Sequence, residues 1–70
     1  MIIKKNLMKV IEAQFENEQS PLLVEIMLKE LNSQVQCYPS GYDIIIKYPT
    51  ESEASIVTVI KLLKGKIIIR

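Results

Sequence analysis

The run Tyr42-Asp43-Ile44-Ile45-Ile46-Lys47-Tyr48 most constrains what this chain can fold into. It follows the turn signal Pro39-Ser40-Gly41 and stops at Pro49. β-Branched and aromatic residues between two breakers favour a strand. Upstream, Gln34 to Tyr38 also alternates, so the two segments read as a β-hairpin. Successive strand side chains point to opposite faces. Tyr42, Ile44, Ile46 and Tyr48 therefore share one face, and Asp43, Ile45 and Lys47 share the other. In the partner strand, Val35 and Cys37 oppose Gln34, Gln36 and Tyr38. The sheet must have one apolar face and one mixed face.

Helices are expected on the apolar face. Over residues 6–17, Leu7, Met8, Val10, Ile11 and Phe15 fall on one side of a helical wheel, opposite Lys9, Glu12 and Glu16. That spacing predicts an amphipathic helix with Asn6 as its N-cap. The stretch Asn17 to Pro21 breaks it. Ser20 as N-cap and Pro21 at the first helical position start a second helix, which runs to about Leu31. Leu22, Leu23, Val24, Ile26, Met27, Leu28 and Leu31 give it an apolar arc broader than one core face requires.

Residues 50–64 hold two conflicting signals. Ile56-Val57-Thr58-Val59-Ile60 is consecutively β-branched and favours a strand. Thr50-Glu51-Ser52-Glu53 matches a capping box, Lys61 and Lys64 fall in a last turn, and Gly65 stands at the C′ position. Ile56, Val59, Ile60 and Leu63 also fall on the opposite half of the wheel from Thr58, Lys61 and Lys64. Helical spacing therefore predicts a helix, followed by a short strand over residues 66–70. The strand over residues 43–48, this helix and the last strand would form a β-α-β unit with parallel strands.

The fold class is α+β. Two N-terminal helices, a hairpin, a helix and a C-terminal strand would place their helices on one face of a mixed sheet of three or four strands. With a further strand over Met1 to Lys5 the order becomes β-αα-β-β-α-β, which resembles the ferredoxin-like pattern in element order. With 70 residues the chain makes one domain, 1–70.

Composition excludes several chemistries. There is no histidine and one cysteine, Cys37. Ser-His-Asp and Cys-His mechanisms lack their base, and a Cys/His zinc site lacks its ligands. Cys37 falls with Val35 on the apolar face and reads as a small buried hydrophobe. Asp43, Glu51 and Glu53 lack the spacing of a calcium loop, and no phosphate-binding glycine motif is present. No catalytic, cofactor or metal site is expected, nor a small-molecule substrate. No apolar run approaches the ~18 residues of a membrane-spanning helix. A lone thiol, with no signal-peptide core in Met1-Ile2-Ile3-Lys4-Lys5, favours a reducing cytoplasm.

The mixed sheet face is the candidate functional surface. It gathers Gln36, Tyr38, Asp43, Ile45 and Lys47, with Lys66, Ile68 and Arg70 from the last strand. Hydrophobic residues make up 49% of the chain, more than so small an interior can hold, so some should face a partner. Three readings fit: a solvated sheet face, a protein contact, or nucleic-acid binding. The expected function is a non-enzymatic protein acting through protein–protein contact, as a homodimer, with regulation or inhibition within its scope. Its partner-binding residues would be Tyr38, Ile45, Lys47 and Ile68. The alternative is a small nucleic-acid-binding protein using Lys4, Lys5, Lys47, Lys66 and Arg70, since both chain ends are basic and the middle is acidic.

Overall fold

The computed structural model describes residues 8–69. Strand β1 (Met8–Gln14) is followed by helix α1 (Gln19–Leu31), strands β2 (Gln36–Ser40) and β3 (Asp43–Pro49), helix α2 (Glu53–Leu62) and strand β4 (Lys66–Ile69). A 3-10 turn over Thr50–Ser52 leads into α2. The strands form one antiparallel sheet in the order β2-β3-β1-β4.

The helix expected over residues 6–17 is instead a central strand. Ile11, Ala13 and Phe15 point into the core, while Met8 and Val10 are exposed on the other face. Apolar residues on both faces blur a period of two into something close to helical spacing. Backbone pairing to β3 on one side and β4 on the other decides the matter. One helix, not two, therefore precedes the hairpin. The sheet is antiparallel throughout rather than mixed. β3 and β4 do run in the same direction, but β1 lies between them and pairs with both. The strand expected over Met1 to Lys5, and Asn6 as a cap, lie outside the described residues.

Both helices pack on one face. Val24 and Leu28 of α1, and Ile56, Val59 and Ile60 of α2, form one buried cluster with Ile11, Ile44, Ile46, Tyr48 and Cys37. Tyr42, expected with that set, sits in the hairpin turn and is exposed. Gly41 takes φ +61° in that two-residue turn, a conformation glycine adopts at little cost. Pro39 extends β2 rather than ending it, which is tolerated because β2 is an edge strand.

The helix termini show local corrections. α1 starts at Gln19, and Asn17 Oδ1, not Ser20, accepts the Ser20 N–H at 2.8 Å. Pro21 is therefore third in the helix, still within the turn that needs no intrahelical N–H partner. Helix α2 forms despite its β-branched run, because Ile56, Val59 and Ile60 are buried together at helical spacing. The Thr58 hydroxyl donates to the Ala54 carbonyl at 2.8 Å. The expected capping box does not close: α2 has no side-chain cap, and Glu53 Oε1 instead accepts from Lys9 Nζ at 3.1 Å and from Tyr48 OH at 3.4 Å.

The left-handed residue ending α2 is Lys64, at φ 62°, not Gly65. The Gly65 N–H bonds the Ile60 carbonyl at 2.8 Å and the Lys64 N–H bonds that of Lys61 at 3.0 Å. These are the two bonds of a Schellman motif. Gly65 serves another purpose: a Cβ there would overlap the Phe15 ring and lie 2.9 Å from Ile60 Cγ2.

Candidate protein-contact surface

No described element covers the second face of the sheet. β3 presents Asp43, Ile45 and Lys47 there, β2 presents Gln36, Tyr38 and Ser40, and β1 presents Met8, Val10, Glu12 and Gln14. Registry arranges them in rows. Gln36, Lys47 and Val10 lie side by side, as do Tyr38, Ile45 and Glu12, and then Ser40, Asp43 and Gln14. Lys66 of β4 continues the last row beside Gln14.

The expected partner-binding residues behave as alternation requires. Tyr38 and Ile45 are direct cross-strand neighbours, 55% and 43% exposed, and Lys47 stands two residues along β3. Tyr38 is braced along the sheet by donating its hydroxyl to Gln36 Oε1 at 2.9 Å. Ile68 is 47% exposed. The β1–β4 pairing steps from Ala13–Ile67 to Glu12–Ile69, leaving Ile68 as the extra residue of a bulge. Glu12 of β1 therefore separates Ile45 from Ile68, and the two isoleucines do not touch as cross-strand neighbours.

Sequence reasoning missed Met8 and Val10, because it placed them on a helix. Both are exposed, Val10 at 48%, and they add β1 to the apolar residues of this face. The signal was present: Met8, Val10, Glu12 and Gln14 alternate with Lys9, Ile11, Ala13 and Phe15, and beyond Lys9 the second set is wholly apolar.

Among the described residues the charges on this face balance: Glu12 and Asp43 against Lys47 and Lys66. Oδ1 of Asp43 is buried and has no hydrogen-bond partner. Lys47 and Lys66 sit on different rows and non-adjacent strands, with Gln14 beside Lys66 and the acids between them. Lys4, Lys5 and Arg70, the rest of the alternative nucleic-acid set, lie outside the described residues. The first described strand does lie beside the last, but it is Met8–Gln14.

No family model, characterised protein or solved structure matches this chain. Any functional reading therefore rests on the residues themselves.

A second apolar area lies on α1. Leu22, Leu23 and Ile26 are about half exposed on the side of the helix facing away from Val24 and Leu28. They are the surplus of the over-broad arc. Cys37 is buried beneath α1, and burial, with Glu25 adding to it and Lys29 opposing it, pushes its thiol up to about 11. A thiol held protonated is a poor nucleophile. Lys9, Tyr48 and Glu53 line a shallow hollow between β1 and α2, where the Lys9–Glu53 ion pair ties helix to sheet. No described helix is long and apolar enough to cross a membrane.

Proposed function

We propose that this protein is a non-enzymatic contact domain whose uncovered sheet face seats a second copy of itself. Its order of elements, with β1 inserted between β3 and β4, supports a ferredoxin-like arrangement, an architecture that carries many functions. The observation that carries the reading is an uncovered sheet face on which Met8, Val10, Tyr38, Ile45 and Ile68 are exposed, interspersed with charges of both signs. Apolar and aromatic side chains exposed together on one face are what protein interfaces use as anchors. Seven residues in each of β1 and β3, five in β2 and four in β4, at ~3.4 Å rise and ~4.8 Å strand spacing, make a footprint of roughly 375 Å² in projection. Side chains standing on it raise the accessible area toward the ~600–1,000 Å² per partner of a stable interface.

Balanced charge supports a protein rather than a phosphate backbone as occupant. Nucleic acid is bound by neutralising phosphates with cations. Here Glu12 and Asp43 stand among the lysines and would repel the phosphates. As a dimer the chain would suit regulation or inhibition, where a binding surface suffices, in a reducing compartment that leaves Cys37 as a thiol. Amide NMR on a dilution series tests this. Shifts confined to the four strands are expected. Shifts confined to Leu22–Ile26 would move the contact to α1, and spectra that do not change with concentration would remove it.

A further inference from the structure

The open face of β3 reads acid, apolar, base: Asp43, Ile45, Lys47. Ile45 lies midway, with each charge ~7 Å away along the strand. A two-fold axis lying in the interface, running across the strands and through Ile45, exchanges the two ends of this pattern. Asp43 then lies over Lys47 of the partner subunit, Lys47 over its Asp43, and Ile45 over Ile45. Such self-complementarity is what an isologous interface demands. Among the described residues neither Asp43 nor Lys47 has an ion-pair partner.

We infer that the homodimer pairs β3 against β3 in opposite directions about Ile45, with Asp43 and Lys47 exchanged between copies. This rests on the sheet-face reading above and specifies its geometry. Neighbouring rows are compatible with it. Gln36 meets Ser40, Val10 meets Gln14, and Tyr38 meets Tyr38 across the axis. One pairing opposes it: Glu12, beside Ile45 on β1, faces its own copy. The geometry therefore also predicts that removing this charge tightens the dimer.

Charge exchange tests the axis. Asp43→Lys and Lys47→Asp, each alone, should weaken self-association at least about tenfold, because both symmetric contacts become like-charged. Mixed in equal amounts, the two variants should form a heterodimer, since one face is then doubly basic and the other doubly acidic. The double variant Asp43→Lys/Lys47→Asp should recover the wild-type dissociation constant, and Glu12→Gln should lower it. Recovery on mixing also shows that each single variant is folded. If the single variants dimerise as wild type does, or their mixture associates no better than either alone, the axis is wrong while the homodimer stands. If the wild type does not dimerise at all, both fail together.

Discussion

Gly65 lies so close to the Phe15 ring that a Cβ at residue 65 would overlap Cε2 and Cζ. The contact joins the start of β4 to the end of β1, where the sheet meets the last turn of α2. Phe15 and Ile60 are both buried and a Cβ at residue 65 would press on both, so neither has open space to yield into. Gly65→Ala should therefore destabilise the fold by about 1–3 kcal/mol, the usual cost of overpacking. Urea unfolding followed by circular dichroism measures it, and a loss within a few tenths of a kcal/mol would mean that the contact relaxes freely.

One residue earlier the sign reverses. Lys64 holds the left-handed conformation of the Schellman motif, at φ 62°, and its side chain is exposed. A non-glycine residue there costs roughly 1–2 kcal/mol, partly offset when glycine adds freedom to the unfolded chain. Lys64→Gly should raise stability by about 0.5–1 kcal/mol in the same urea experiment. A decrease would contradict the assignment of Lys64 as the strained residue.

These neighbours show where the sequence was legible and where it was not. A glycine after a helix with lysines near its end placed the end of α2 at residue 64, two residues beyond its last residue, Leu62. It could not reveal that the left-handed residue is Lys64, because what fixes Gly65 is a ring fifty residues away in the chain. The strands β2 and β3 were readable because each has one clearly apolar face. β1 was not, because as a central strand beneath an uncovered surface it carries Met8 and Val10 outward as well as Ile11 and Ala13 inward. The same error hid two residues of the candidate surface. α2 was recoverable because its lysines and Thr58 mark a helical stripe that the β-branched run alone would have obscured. Glu53 was legible as a first-turn acid, but its ion pair with Lys9 depends on β1 being a strand.

Substitutions on the sheet face should separate association from folding. Ile45→Lys, Ile68→Lys and Val10→Lys each place a charge at a position about half exposed, so no core contact of the monomer is lost. Monomer stability should change by no more than about 0.5–1 kcal/mol, as for other surface sites. The dimer dissociation constant should rise at least about tenfold, since the new charge would be desolvated within the interface. Sedimentation velocity with parallel thermal melts distinguishes the two effects. Dimers as tight as wild type in all three variants would place the contact elsewhere.

Cys37 supplies a pH prediction. Its thiol titrates near 11 in the folded state, mainly through burial, against 9.0 for a free thiol. The unfolded chain therefore loses its proton first as pH rises. Thiol protonation leaves stability unchanged below about pH 9, and stability should fall as pH rises from about 9 toward 11. Cys37→Ala should flatten that part of the profile while costing packing at all pH values. Urea midpoints measured across this range would show it, and an equally steep fall in the variant would mean that the Cys37 thiol is not the cause. Alkylation of Cys37 near neutral pH should likewise be slow in the native state and fast in denaturant.

The central claim is that the uncovered sheet face seats a second copy, and the mass in solution tests it most directly. Sedimentation equilibrium of the wild-type chain, from low to high micromolar concentration, should show a weight-average mass rising toward twice the 8.0 kDa of one chain. A mass that stays at 8.0 kDa up to the highest concentration would contradict it.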